Sequence, residues 1–243
     1  MPNVSPCPHH QPDTIWDYNG TIGREKARLT LQLSGEQLTG LYFYYADLAD
    51  LPVRGRVSSD RRVELTQVRS DGSSAGSFVG SFVHRDPRNR AGNNVLECEL
   101  FIGIWKATGS SVTEPVVFDE VDGATADLRH RYANATALSD DEIDSIAQKL
   151  WLAIRQSDKP AVARLIEYPL SVSISGRRVR LNSEKEMVAR YDEVFTRQYR
   201  EAILSDAPHN MWANVIGVAF SDGLIWFGAD GRVIALNNVA RRR

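Results

Sequence analysis

The chain has 243 residues, and its 29 Lys and Arg against 31 Asp and Glu give a formal net charge of −2. Hydrophobic residues make up 42% and charged residues 25%, a balance typical of soluble globular proteins. This balance excludes a disordered chain and a strongly basic nucleic-acid binder, and the sequence holds no apolar run long enough to span a membrane. The length predicts two modest domains. We therefore expect no nucleic-acid partner and no membrane span.

Residues 1–14 are predicted to form a flexible tail. They are rich in proline and lack the basic and apolar regions of a signal peptide. His9 and His10 lie beside Cys7, and all three are metal-ligand types. One cluster without a fourth ligand does not predict a structural zinc site, so we expect no metal and no cofactor.

Cys7 and Cys98 are the only cysteines in the chain. A bridge between them would tie the tail to a strand and close a loop of about 90 residues, worth about 2–4 kcal/mol in the usual model. A disulfide is typical of an oxidising compartment, whereas two free thiols are typical of the cytosol. The sequence leaves these alternatives open.

Residues 15–121 are predicted to form an antiparallel β-meander. In one short run, Leu29, Leu31 and Leu33 share a face, which is the period of a strand with one buried side. About eight such runs, separated by turn residues and with no helical segment among them, predict a barrel or a sandwich. Glycines inside the runs indicate the tight bends that closure of a small barrel requires. These glycines are Gly40, Gly55, Gly80 and Gly103.

Glycine-punctuated phrases carry a resemblance for this half of the chain. They are Tyr18-x-Gly20-Thr21-Ile22-Gly23, Leu38-x-Gly40-x-Tyr42-x-Tyr44, Leu51-x-x-x-Gly55-x-Val57 and Gly76-x-Phe78-x-Gly80. The pattern resembles bacterial extracytoplasmic β-meander domains and, more loosely, barrels of the avidin and lipocalin type. The resemblance implies a periplasmic or otherwise extracytoplasmic location. The aromatic run Tyr42–Tyr45 either alternates between core and surface or lines a ligand cup.

Residues 122–138 have no sustained period and are predicted to be an interdomain linker. Within them, His130 stands between Arg129 and Arg131 and is expected to be solvated rather than to act as a base. The second domain is predicted over residues 139–238, followed by a basic tail at 239–243.

Two capping boxes mark helix starts in this second domain, at Ser139–Glu142 and Ser183–Glu186. A hairpin is predicted between these helices, with strands at 171–174 and 177–181. Three strands are then expected at the C-terminal end, over Met211–Ala219, Leu224–Phe227 and Arg232–Leu236. The order predicts an α+β domain.

Four phrases carry a second resemblance. They are Leu150-Trp151-x-Ala153-Ile154, Tyr168-Pro169-Leu170, Tyr191-Asp192-x-x-Phe195 and Gly223-x-Ile225-Trp226-Phe227. The domain resembles the cystatin-like α+β roll of the nuclear-transport-factor-2-like and SnoaL-like superfamily. The resemblance implies a conical cavity between helices and sheet, in which the enzymes of that superfamily place Asp, Tyr or His. It also implies that Trp151, Trp212 and Trp226 pack the cavity floor.

Catalytic residues are not predicted. Tyr191 and Asp192 are adjacent on a helix, so their side chains diverge by about 100° and do not share a face. Tyr191 falls on the apolar stripe, while Asp192 and His209 are expected to be exposed. The candidate binding residues are therefore Arg177, Arg178 and Arg180, which could hold an acidic partner, together with Tyr191, Trp212 and Trp226.

The function predicted is that of a non-catalytic extracytoplasmic binding protein. Its partner is expected to be another protein, such as a secreted toxin or enzyme, which would make the chain a periplasmic inhibitor or an immunity protein. Two alternatives stay open: a small-molecule binder using the roll cavity or the barrel cup, and a cavity enzyme of isomerase or hydrolase type. An exposed apolar patch favours the protein partner, whereas a conspicuous buried polar residue favours the enzyme.

Overall fold

The computed structural model describes residues 14–84, 98–125 and 127–238, without the side chains of residues 122, 124 and 125. The chain divides into two compact units, residues 1–128 and 129–243. None of the helices in these ranges is long and apolar enough to cross a membrane. Cys7, His9, His10 and the basic tail 239–243 lie outside the described residues, so the Cys7–Cys98 bridge stays a prediction.

The first unit contains a closed barrel of eight antiparallel strands in sequential order. The strands are β1 (Thr14–Ile22), β2 (Glu25–Ser34), β3 (Gln37–Tyr44), β4 (Leu51–Val57), β5 (Arg62–Val68), β6 (Ser74–Val83), β7 (Leu100–Ala107) and β8 (Glu114–Thr125). Strand β1 pairs with β8 as well as with β2, in a register that sets Thr14 opposite Thr125. This closure confirms the predicted β-meander and shows a barrel rather than a sandwich.

The barrel interior is filled by side chains on alternate positions of every strand. Leu29, Leu31 and Leu33 point inward as their spacing predicts, and each is at most 3% exposed. Aromatic rings fill the remaining space in this core. They come from Tyr18, Tyr42, Phe78, Phe82, Phe101 and Phe118.

Glycines allow neighbouring strands to approach closely where the barrel wall curves. A Cβ at Gly55 would lie 1.8 Å from the carbonyl oxygen of Glu64, and a Cβ at Gly20 would lie 1.9 Å from that of Val117. Neither position has room for any side chain. A Cβ at Gly40, Gly80 or Gly103 would likewise lie 2.0–2.4 Å from a carbonyl oxygen of a neighbouring strand, so all four predicted glycines stand at close strand approaches. The tight bends themselves stay a prediction.

Regular structure extends into the segment predicted as a linker. Strand β8 continues to Thr125, and Arg131 and Tyr132 are 4% and 0% exposed in the second unit. The carboxylate of Asp140 accepts hydrogen bonds from the backbone N–H groups of both Arg131 and Tyr132. The sequence shows no helical or strand periodicity here because hydrogen bonds to Asp140, rather than a helix or strand, hold these two residues.

The second unit contains four helices and six strands within the described residues. They are α1 (Asp140–Gln156), α2 (Lys159–Arg164), β9 (Leu170–Ile174), β10 (Arg177–Leu181), α3 (Glu184–Val194), α4 (Arg197–Leu204), β11 (Trp212–Asn214), β12 (Gly217–Phe220), β13 (Ile225–Phe227) and β14 (Val233–Leu236). Strands β9 and β10 form a hairpin, and β11 to β14 form a four-stranded meander. Apolar side chains of all four helices and of strands from both sheets share one core.

Both capping boxes start helices where the sequence predicts them. Ser139 caps α1 with reciprocal bonds to Glu142, and the Ser183 hydroxyl accepts from the N–H of Glu186 at the start of α3. The run Met211–Ala219, predicted as one strand, is two strands joined by a tight turn. The turn was missed because Val215 and Ile216 are β-branched residues typical of strands.

Candidate binding surface

The four-stranded sheet of the second unit has one face in the core and an opposite, outward face. Val218, Phe220, Ile225 and Phe227 are fully buried in the core. Because successive side chains of a strand point to opposite faces, the residues between them point away from that core. The register places Trp212 opposite Ala219 and Ala219 opposite Trp226. These three residues therefore form one row across β11, β12 and β13.

The two tryptophans meet across Ala219. Their ring centroids are 5.8 Å apart and their planes are at 89°, an edge-to-face contact. The small Ala219 between them leaves the space that this contact needs. The Nε1–H of Trp226 donates to the carbonyl of Gly223 at 3.1 Å, which fixes that ring. The expectation that Trp212 and Trp226 pack a cavity floor is wrong, because strand alternation puts them on the face opposite the core.

An exposed apolar tip adjoins the row. The turn between β11 and β12 presents Val215 and Ile216, which are 87% and 67% exposed. The side chain of Asn214 accepts a hydrogen bond from the N–H of Ile216 at 2.8 Å, so the turn is held by its own first residue. We call Trp212, Ala219, Trp226, Val215 and Ile216 the tryptophan face.

Opposite charges lie beside the apolar tip of the tryptophan face. The turn between β13 and β14 lies next to the apolar tip, because a Cβ at Gly217 would meet both Phe227 and Ile234. That turn carries Asp230 and Arg232, whose side chains approach to 3.8 Å. That turn therefore contributes no net charge beside the apolar tip.

The three arginines of the predicted binding set lie on β10 and are exposed. Arg178 and Arg180 pair with Ser173 and Ser171 across the hairpin, so they share one face, and Arg177 lies on the other. Among the described residues, no hydrogen bond or ring contact links these arginines to Trp212 or Trp226. The structure thus gives the hairpin and the tryptophan face as separate features.

Tyr191 lies in a cluster of aromatic rings between helices α3 and α4. It is 0% exposed and stacks on Phe195 with centroids 4.8 Å apart and planes at 21°. Phe195 in turn contacts Tyr199 at 5.7 Å. Asp192, the next residue along the helix, is exposed and pairs with Lys159 at 2.6 Å. The divergence predicted for Tyr191 and Asp192 is what the helix shows.

A buried polar cluster is the second chemical feature of this unit, and sequence reasoning missed it. Asp144 of α1 receives a 2.5 Å hydrogen bond from the hydroxyl of Tyr132 and contacts Nδ1 of His209 at 2.6 Å. The Tyr132 hydroxyl also accepts from the N–H of Met211 at 2.8 Å. Asp144, His209 and Arg131 are 5%, 9% and 4% exposed.

The expectation that His209 is exposed is therefore wrong. His209 follows Pro208 in a loop, and the loop turns inward because Asp144 and Tyr132 bind it. A signal was present in the sequence, since Asp144 has helical spacing to the apolar Ala147 and Trp151. A charged residue on a buried stripe needs a partner. Burial raises the pKa of Tyr132 well above its usual value, and the carboxylate of Asp144 adds to this effect.

The aromatic run of the barrel alternates between its two faces. Tyr42 points inward, contacts Phe78 edge-to-face at 5.1 Å and donates from its hydroxyl to Oε1 of Gln67 at 2.8 Å. Phe43 points outward and stacks with Tyr45 at 5.9 Å. Tyr42 is thus a core residue with a satisfied hydroxyl.

No family model, curated protein or solved structure matches this chain. Within the described parts of the chain, no group of three or more His, Cys, Asp or Glu side chains could hold a metal ion.

Proposed function

We propose that the protein is a non-catalytic binding protein whose partner is another protein, held at the tryptophan face. The observation that carries the proposal is the row Trp212–Ala219–Trp226 beside the exposed tip Val215–Ile216. Tryptophan is the residue type most enriched at the energetic centres of protein interfaces. Val215 and Ile216 are exposed, both tryptophans are half-buried and Ala219 is buried between them. An apolar patch with a polar rim is typical of such interfaces.

A protein surface fits this face better than a lipid or a nucleic acid does. An anionic membrane or a phosphate backbone requires clustered Lys and Arg, whereas the adjacent turn carries Asp230 and Arg232 in equal number. The part of the partner that binds is accordingly apolar and of low net charge.

A more specific proposal follows from the family resemblances of the two halves of the chain. We infer that the second unit is a cystatin-like roll and that the protein acts in an extracytoplasmic compartment, as an inhibitor or as an immunity protein against a secreted toxin. The support is the element order of helices, hairpin, helices and meander and the β-meander character of the first unit.

A cavity enzyme is the second candidate, and the buried pair Asp144–His209 favours it. A carboxylate that orients an imidazole is a common element of general-base sites. Here, however, the oxygens of Asp144 contact Tyr132 and His209, and Tyr132 also binds the backbone of Met211. These contacts fasten the segment before α1 and the loop before β11 to α1, so a structural role accounts for them.

A photo-crosslinking experiment tests the binding proposal. A benzophenone amino acid is placed at Val215 of the full chain, and the protein is irradiated in cells of its natural host. Leu152, an exposed apolar residue on α1 at 44% exposure, serves as the matched control position. We expect a discrete covalent adduct with one protein at position 215 and none at position 152.

A second variant links the adduct to the tryptophan face. Ile216→Asp places a charge on the exposed tip without touching the core, so the fold is retained while apolar docking is lost. The adduct from position 215 should then fall at least about tenfold, the effect of about 1.4 kcal/mol. Equal adducts at positions 215 and 152, or an adduct that Ile216→Asp leaves unchanged, would refute the proposal.

A further inference from the structure

Strand β10 is the open edge of the β9–β10 hairpin, since within the described residues it pairs with β9 alone. The opposite edge, on β9, is occupied. The N–H of Ser173 donates to Oδ1 of Asn238 at 2.9 Å, and Nδ2 of Asn238 donates to the carbonyl of Ser173 at 2.7 Å. Both residues of the turn, Ser175 and Gly176, have positive φ, as in the two-residue turns that fix strand register. The hairpin is therefore open to a further strand at β10.

The backbone groups of Arg178 and Arg180 point to this open edge. In an antiparallel pair, opposite residues alternate between a pair that exchanges backbone hydrogen bonds and a pair that does not. Ser173 lies opposite Arg178 and directs its backbone N–H to Asn238, so Ser173 and Arg178 are a pair of the second kind. Arg180, opposite Ser171, lies two residues along and has the same place in the ladder. Two N–H groups and two carbonyls of β10 are thus directed away from β9.

The side chains of β10 concentrate positive charge at this edge. Arg177, Arg178 and Arg180 are exposed, and none of them forms an ion pair within the part of the chain that the structure describes. Val172 and Ile174 of β9 are buried in the core. Arg178 and Arg180 pair with the alternate residues of β9 and therefore point to solvent. Three cations on a strand of five residues attract a partner that carries negative charge.

We propose that β10 binds an extended acidic segment of another protein, which adds to the hairpin as an antiparallel third strand. The outward backbone groups of Arg178 and Arg180 supply the hydrogen bonds of the new ladder, and their guanidinium groups pair with carboxylates of the segment. The two arginines are about 6.7 Å apart along the strand, which matches acidic residues at alternate positions. The residue between those positions lies beside the half-buried Val179 and is accordingly apolar.

Charge distinguishes this occupant from the alternatives. A second copy of β10 would set arginine against arginine, and like charges directly opposite each other destabilise a strand pair. Single-stranded nucleic acid binds through aromatic stacking as well as through cations, and β10, with the sequence Arg-Arg-Val-Arg-Leu, carries no aromatic ring. An acidic strand satisfies both the open backbone groups and the guanidinium groups.

Fluorescence anisotropy of a labelled peptide, in which glutamate alternates with valine, tests this site with the full chain. We expect saturable binding that weakens as salt is added. N-methylation of the glutamate amides removes the N–H groups that face β10, so it should weaken binding at least about tenfold. N-methylation of the valine amides is the matched control and should change the affinity by less than about threefold, because those groups point away from β10.

Charge reversal tests the guanidinium groups. Arg178→Glu combined with Arg180→Glu should weaken binding at least about tenfold, and this variant should instead bind a peptide in which lysine alternates with valine. The matched control is Lys149→Glu combined with Arg190→Glu, which reverses two exposed cations on α1 and α3 and should stay within about twofold. Circular dichroism should show that both variants retain the fold.

Four results would overturn the proposal: no saturable binding of the glutamate peptide, equal effects of the two N-methylations, equal effects of the two charge reversals, or tighter binding of a single-stranded oligonucleotide than of the peptide. Ile216→Asp, on the tryptophan face, should leave the peptide affinity within about twofold, because an exposed position outside the site contributes little. Failure of this peptide to bind would therefore leave the partner of the tryptophan face unaffected.

Discussion

Buried polar residues hold the first segment of the second unit in place through hydrogen bonds and an ion pair. Asp144 contacts both Tyr132 and His209. The Tyr132 hydroxyl also accepts a hydrogen bond from the backbone N–H of Met211. Arg131 reaches the carbonyl of the same residue, with Nη1 3.5 Å away. Three segments that are distant in sequence are therefore joined through one carboxylate.

The first prediction concerns that carboxylate. Asp144→Ala removes it and leaves His209 and the Tyr132 hydroxyl without their partner in a buried site, so the unfolding free energy should fall by about 3–5 kcal/mol. Urea unfolding followed by circular dichroism measures the change. Asp141→Ala, which removes an exposed acidic residue from the first turn of the same helix, should cost less than about 1 kcal/mol.

A loss below about 1 kcal/mol for Asp144→Ala would show that the cluster is not needed for the fold. That result would favour the cavity-enzyme proposal, since a buried polar cluster that does not stabilise the fold calls for another role. The unfolding free energy of Tyr132→Phe provides a second measurement, because this change removes only the hydroxyl that connects Asp144 to Met211.

Sequence reasoning at the residue scale succeeded for Tyr191 and failed for His209. Tyr191 lies on a helical stripe whose period reports burial directly. His209 lies in a loop, where no period exists, and its burial depends on Asp144, which is 65 positions earlier in the chain. Contacts between distant residues leave no local pattern to detect.

Elements whose ends are marked by local chemistry were predictable. The capping boxes start α1 and α3 as predicted, because a cap is a contact within four residues. The turn between β11 and β12 was not predicted, since its two central residues are apolar. In hindsight, Asn214 before the turn and Gly217 after it are turn signals. Because this turn was missed, the outward face of β11 to β13 was not predicted either.

The second prediction concerns the wall of the barrel. In Gly55→Ala the new methyl group would overlap the Glu64 carbonyl on β5, so β4 and β5 must separate. We expect a loss of about 1–3 kcal/mol in unfolding free energy, as for other overpacked sites. The control is Arg54→Ala, an exposed neighbour on the same strand, which should stay within about 0.5 kcal/mol.

Equal stability of Gly55→Ala and Arg54→Ala in thermal or urea unfolding would show that the strands have room to separate at no cost. Glycine would then not be required at this point of the wall, and the bend would need another cause.

At the scale of the whole molecule, the predicted Cys7–Cys98 bridge determines how the tail and the barrel are connected. Protein purified from an oxidising compartment and denatured without reductant should show no reactive thiol in a labelling assay. After reduction, two thiols should be labelled, and the unfolding free energy should fall by about 2–4 kcal/mol because the long loop is released.

Labelling of both cysteines before reduction would contradict the bridge and remove one support for an extracytoplasmic location. The matched variant is Cys7→Ser, because Cys98 is buried in the barrel core and replacing it would disturb packing as well. If the bridge exists, Cys7→Ser should be as unstable as the reduced protein.

The seam between β1 and β8 has a consequence for synthesis of the chain. It pairs Thr14 with Thr125, the first and last ladder positions of the barrel, so the ring cannot be completed until the final strand has left the ribosome. Contacts between such distant positions form slowly, and until then both outer strands expose unpaired backbone groups. The nascent barrel is thus most vulnerable to aggregation until β8 has emerged and paired with β1, and chaperone demand should peak before that point.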